Sequence, residues 1–134
     1  MLLIRHARAG DRADWEGDDH KRPLDKRGRR QAEALVEALA SFTVTRVLSS
    51  PADRCMQTVE PLAAARGIDV EVCEEFGEER QGHDGVALVR SLLGEPVALC
   101  VHGGLSNATV GTGQKKGETL VVDAEGEVLD RVRV

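Results

Sequence analysis

The sequence predicts a mixed α/β fold: a single three-layer domain over residues 1–134, with a mostly parallel central sheet flanked by helices and a C-terminal antiparallel hairpin. Three observations carry that expectation. The short apolar runs Leu2-Leu3-Ile4 and Val97-Ala98-Leu99-Cys100-Val101 have the length and near-continuous hydrophobicity of buried strands. Stretches with helical periodicity alternate with such runs along the chain. Both runs stop at a histidine, His6 after Arg5 and His102 after Val101, the place where open α/β sheets present ligand-binding side chains.

Residues 1–5 form the first expected strand, followed by a polar loop through Gly10, Gly17 and Pro23. A connection of that length is more often functional than idle. Residues 25–42 read as an amphipathic helix, because Leu35, Val36, Leu39 and Phe42 recur at helical spacing between charges. Residues 44–48 make a second strand, and Ser49-Ser50-Pro51-Ala52-Asp53 reads as a helix start. Ser50 would cap it, Pro51 suits the first helical position, and Asp53 complements the helix dipole. Arg54 then falls in the first turn, Pro61 should kink or restart the helix, and Gly67 should end it. A third strand is expected at 68–73, a third helix at 84–93 before Gly94, and a fourth strand at 97–101. The tail reads as strands at 118–123 and 127–134 joined by Ala124-Glu125-Gly126. His20 and His83 fall in expected loops.

Eighteen basic against 23 acidic residues leave a formal charge of −5, which argues against nonspecific binding to nucleic acid or an anionic membrane. Phe42, Phe76 and Trp15 are too few aromatics for a base-stacking platform. No run approaches the roughly 18–20 apolar residues of a membrane span, and no export signal is visible, so a cytoplasmic location is expected. Cys55, Cys73 and Cys100 fit neither a zinc pattern nor a redox pair and read as buried free thiols. Lys21, Arg22, Lys26, Arg27, Arg29 and Arg30 form a local basic cluster, read as a solvated helix start, with a docking surface for an anionic partner as the alternative.

With the first, second and fourth strands parallel, their carboxyl ends would bring together Arg5-His6, Ser49-Ser50 leading to Arg54, and His102-Gly103-Gly104. Two forked guanidiniums, a helix start and a second imidazole make a cradle for a tetrahedral dianion, so a phosphoryl group is the expected ligand. Fixed positive charges nearby should lower the pKa of His6 and leave it a free lone pair. Attack on phosphorus would give a phosphohistidine, with Arg5, Arg54 and His102 stabilising the oxygens and water completing turnover. Zinc is disfavoured because no histidine pair has ligand spacing, and neither Ser49 nor Ser50 sits in a Gly-x-Ser-x-Gly elbow.

The segment Leu3-Ile4-Arg5-His6-Ala7-Arg8-Ala9-Gly10 resembles the opening Arg-His motif of the histidine phosphatase superfamily. Residues 48–58, from Leu48-Ser49-Ser50-Pro51 through Arg54 to Gln57-Thr58, are similar to its second motif, and Val101-His102-Gly103 to its third. Residues 22–32 resemble its small branch, the phosphohistidine phosphatases, and the phosphatase half of some Nudix hydrolases. The resemblance implies a phosphoglycerate mutase-like fold and a covalent mechanism with His6 as nucleophile. It also implies that Arg5, Arg54 and His102 hold phosphate, that no metal or other cofactor takes part, and that an acidic residue protonates the leaving group. Glu74, Glu75, Glu78 and Glu79 are the candidates for that acid, and Phe76-Gly77-Glu78 favours Glu78. A good leaving group such as an imidazole would have less need of it.

Ala7 stands where larger members of the family have glycine. After His102 the family runs a helix into the closing strands, whereas the glycine-rich residues 103–117 look shortened, which would weaken the wall behind His102. Long insertions that cap the pocket are also missing, so the expected activity is a protein phosphohistidine phosphatase that releases inorganic phosphate. Alternatives are a phosphatase for a small phosphate ester or nucleotide and, from another class, a phosphate-binding module without turnover.

Overall fold

The computed structural model describes residues 1–78 and 83–134. Its regular elements are β1 (Leu2–Arg5), α1 (Lys26–Ala38), β2 (Arg46–Ser49), α2 (Asp53–Arg66), β3 (Val70–Val72), α3 (His83–Ser91), β4 (Val97–Val101), α4 (Gly103–Val110), β5 (Thr119–Val122) and β6 (Val128–Val132). The strands form one sheet in the order β3-β2-β4-β1-β5-β6. The first four of that order are parallel, and β5 and β6 add the antiparallel edge, as expected. No helix among the described residues is long and apolar enough to cross a membrane.

Alternation along the strands builds the three layers. Leu2, Ile4, Val47, Ala98 and Cys100 face one side, where they meet Leu35 and Leu39 from the α1 region and Cys55, Val59 and Leu62 of α2. Leu3, Leu48, Leu99, Val101 and Leu120 face the other, where they meet Phe76, Val89 of α3 and Leu105 of α4. A period of two sends successive side chains to opposite faces, so a central strand buried on both must be apolar throughout. All five residues of β4 are buried for that reason.

Several elements depart from the sequence expectation. The first helix stops at Ala38, not near Phe42, and the amphipathic signal runs on because Leu39 is in the core and Phe42 packs against it from the turns that follow. Pro61 neither ends nor restarts α2, which continues to Arg66, its flanking Val59, Leu62 and Ala63 all buried. Gly67 does end it, at φ 65°. His83 opens α3, and His20 lies in a short 3-10 turn (Asp19–Lys21) rather than an irregular loop. The segment after His102 is not bare loop throughout: α4 takes its first eight residues, with Leu105 and Ser106 buried.

Helix α1 is pinned at its start. Asp25 caps it by accepting the Gly28 N–H at 2.7 Å, and a Cβ on Gly28 would lie 1.8 Å from the Arg8 carbonyl oxygen. Only glycine lets the helix approach this closely. Gly28→Ala is therefore expected to destabilise the protein by about 1–3 kcal/mol, the usual cost of overpacking a tight contact. Urea unfolding with an unchanged midpoint would show that α1 does not press on residue 8.

Candidate active site

The sheet register aligns the strand ends. Arg5 is opposite Val101 and Ser49 opposite Cys100, and the ladder runs one residue further, with His6 N–H donating to Val101 O at 3.3 Å and Ser50 N–H to Cys100 O at 3.0 Å. The imidazoles of His6 and His102 meet edge to face, with ring centroids 5.5 Å apart. His6, His102 and Arg54 are 6%, 2% and 1% exposed, so the groups expected to converge do so in the interior.

The start of α2 differs from the expected cap. Its N-cap is Ala52 and its first helical residue Asp53. Ser50 lies earlier because its backbone still extends the sheet, and its hydroxyl is 2.9 Å from His102 Nε2 instead of capping the helix. Arg54 nevertheless sits in the first turn, as expected.

Local hydrogen bonding orders the His6 ring. His6 Nδ1 is 2.9 Å from the Ala7 carbonyl oxygen, which can only accept. Nδ1 therefore carries the proton, and Nε2 keeps its lone pair. The His6 pKa is lowered to about 3, chiefly by burial; the Ala7 carbonyl opposes this, and the nearby His102, Arg54 and Arg5 reinforce it. The sequence reasoning credited fixed charges, whereas loss of solvation does most of the work. Three buried nitrogens at this place, Arg5 Nε, Arg54 Nε and His102 Nδ1, have no hydrogen-bond partner among the described residues. Each such orphan costs about 1–3 kcal/mol unless something accepts from it.

Of the four carboxylates considered as proton donor, Glu78 reaches the site. One oxygen accepts from Arg54 NH2 at 2.9 Å and lies 3.1 Å from Arg12 NH2, and the other is 3.7 Å from His102 Nδ1. Glu74 and Glu75 lie in a 3-10 turn away from the cleft lining, and Glu79 is outside the described residues. Asp19 also binds Arg54, through its backbone oxygen at 2.8 Å and its carboxylate at 3.3 Å. Burial opposes ionisation of Asp19, but hydrogen bonding to Arg22 and the charges of Arg54 and Arg12 hold its pKa below the usual carboxylate value.

In front of these groups opens a cavity of about 810 Å³ whose lining includes Arg5, His6, Glu78 and Arg12 together with Arg8, Arg27 and Lys116. Arg54 and His102 are not part of that lining and sit behind the Glu78 carboxylate. The sequence reading missed Arg12, Asp19, Gln31 and Lys116 as neighbours of the site. The long loop through Gly10 and Gly17, flagged only as functional by its length, is the source of the first two. Within the basic cluster, Arg22 is buried against Asp19 and the Ala9 carbonyl. Arg27 lines the cavity, so that cluster is not simply a solvated surface. Cys55 and Cys100 are buried free thiols as expected, whereas Cys73 is half-buried.

This arrangement, a three-layer α/β sheet with paired imidazoles and buried guanidiniums at the carboxyl ends of parallel strands, is the phosphoglycerate mutase-like architecture. A family model of the histidine phosphatase superfamily (branch 1) matches residues 1–86, and the chain belongs to that superfamily. The 8-oxo-(d)GTP phosphatase of Mycolicibacterium smegmatis is 37% identical over 96% of this chain, which spans 46% of that protein's length. Among solved structures, the protein histidine phosphatase SixA complexed with tungstate matches with a TM-score of 0.72 and 21% identity, over 99% of this chain and 97% of the other. A mycobacterial glucosyl-3-phosphoglycerate phosphatase, Rv2419c, matches with a TM-score of 0.67 and 16% identity, over 99% and 95%. These two likenesses are of fold.

The buried neutral His6 makes stability depend on pH. An unfolded chain protonates this imidazole near 6.5, whereas the folded protein resists until about 3, so acidification in that window favours unfolding. Wild type should lose stability relative to His6→Gln as pH falls from 6.5 towards 4, by up to about 1.4 kcal/mol per pH unit. Urea unfolding of both proteins at several pH values checks this, and parallel pH curves would mean that His6 is not held neutral.

Proposed function

We propose that residues 1–134 act as one histidine phosphatase domain that hydrolyses a phosphorylated substrate through a covalent phosphohistidine on His6. The observation that carries this reading is the His6 Nε2 lone pair at the cavity, near nitrogens of Arg5, Arg54 and His102 that have no hydrogen-bond partner among the described residues. An electron-rich nitrogen next to unsatisfied guanidinium donors suits a tetrahedral dianion that must be both held and attacked.

In the first step the Nε2 lone pair forms an N–P bond as the bond from phosphorus to the leaving group breaks, and that group departs with the electron pair. In the second, water attacks the phosphohistidine, the N–P bond breaks, and inorganic phosphate leaves. Arg5, Arg54 and His102 hold the phosphoryl oxygens through both steps. Glu78 is the proton donor in this scheme, and it must yield its place on Arg54 to the phosphoryl group or share it. Guanidiniums supply the positive charge that other phosphatases draw from metal ions, so turnover is expected to be unaffected by EDTA. Buried free thiols fit action in a reducing cytoplasm.

Two substrate classes remain from the sequence reading. Phosphohistidine on a protein is suggested by relatives of the same fold. A small phosphorylated molecule of the nucleotide type is suggested by the 37% identical 8-oxo-(d)GTP phosphatase and by the cationic lining of the cavity, and it is the reading carried forward.

Acid quenching during turnover of labelled substrate should trap phosphate on wild type and none on His6→Ala, whose kcat should fall by about 10⁴-fold or more. Undiminished turnover by the variant would remove His6 from the mechanism, and a protein that binds phosphate without forming the adduct would be a binding module. Glu78→Gln should slow alkyl phosphate hydrolysis by about 10²-fold while sparing substrates whose leaving group needs no proton. Equal losses on both kinds, read from kcat, would rule out Glu78 as a proton donor.

A further inference from the structure

Arg5, His6 and Glu78, with Arg54 and His102 behind them, account for only part of the cleft and leave the rest of its lining unexplained. Arg8, Arg27 and Lys116 also line the cavity, alongside the acidic Asp11, and they come from three separate segments. Gln31 of α1 gathers two of them: its Oε1 accepts the Arg8 N–H at 2.9 Å and its Nε2 donates to the Lys116 carbonyl at 3.3 Å. The Gly28 contact sets the turn of α1 that carries Arg27 directly against residue 8. Gly117, at φ 79°, donates its N–H to the carbonyls of Arg5 and His6 at 3.2 and 3.0 Å, tethering Lys116 to the strand end that bears His6.

Arg8 is paired with Asp25 at 2.9 Å, but the side chains of Arg27 and Lys116 have no partner among the described residues. Like charges gathered around one cavity repel each other and focus a positive potential into it. A second anionic group entering beside the reacting phosphoryl would relieve that repulsion.

We infer that Arg8, Arg27 and Lys116 form a second anion subsite that holds the non-transferred phosphate of a phosphoanhydride, the substrate class being a nucleoside diphosphate or its higher homologue. This rests on the phosphatase reading above and names its substrate. Attack by His6 Nε2 on the terminal phosphorus forms the N–P bond and breaks the bridging P–O bond, the electron pair leaving on the adjacent phosphate. That oxygen is already stable as an anion and is further stabilised by Arg27 and Lys116, so the step draws no proton from Glu78. The shortened nucleotide leaves, and water then cleaves the N–P bond, giving inorganic phosphate, free His6 and a proton released to solvent.

The test compares GDP with p-nitrophenyl phosphate, a monoester with a good leaving group and no second phosphate. The ratio of their kcat/KM values should favour GDP in wild type and fall by about tenfold or more in Arg27→Ala and again in Arg27→Ala/Lys116→Ala. An unchanged ratio, or a wild-type preference for a phosphohistidine protein over GDP, would overturn the subsite. Calorimetry separates this from failure of the phosphatase reading. Pyrophosphate should bind wild type more tightly than phosphate, and the margin should vanish in the double variant even if no substrate turns over. No margin in wild type would sink the subsite, whereas a margin without any turnover would sink only the catalytic reading.

Discussion

Burying the Arg54 guanidinium is the constraint on which the cleft depends. A cation with 1% of its surface exposed loses its hydration, a penalty of several kcal/mol that only anionic partners in good geometry offset. Asp19 supplies a carboxylate and a backbone carbonyl, and Glu78 supplies a second carboxylate. The requirement explains why the long loop after β1 folds over the site rather than trailing in solvent: it brings Asp19 to Arg54, and Arg12 and Arg22 to Asp19. The loop's order and the buried charge support each other.

The same electrostatics prepares the site for an anion. Arg54 and His102 stand behind the Glu78 carboxylate, while Arg5 and His6 face the cavity directly. Desolvation keeps His6 neutral and the Ala7 carbonyl orients its lone pair, so the ring stands unprotonated at Nε2 in the folded protein. Preorganisation of this kind places its cost in folding rather than in the reaction.

Close backbone contacts hold the arrangement rigid. Glycine at 28 admits α1 to the carbonyl of residue 8, and glycine at 117, where a Cβ would press the Gln31 amide at 3.1 Å, lets the last loop bond to the backbone of Arg5 and His6. Gln114 continues that brace by donating to the carbonyls of Leu3 and Glu118 at 2.7 and 2.9 Å. The helix α4 backs His102 by the same logic, seating Leu105 in the second core.

Strands and their ends were legible because burial on both faces of a parallel sheet writes a continuous apolar run, and in β1 and β4 the run breaks where the strand meets the ligand edge. That made Arg5, His6 and His102 visible, and Arg54 followed from its place just after β2. Helix boundaries were less legible at Phe42 and Ser50, since an apolar or capping residue looks the same in sequence whether it packs from a helix, from a turn, or against a distant imidazole. Which carboxylate reaches Arg54, which ring nitrogen keeps its lone pair, and which cations of a basic cluster turn inward are set by contacts such as Glu78 with Arg54, separated by many positions along the chain. By itself the sequence determined the α/β class, the strand order's raw material and the chemical types at the site. Only the tertiary structure decided protonation, partners and the cations that line the cavity, because these depend on desolvation and distance, which exist only once the chain has closed on itself.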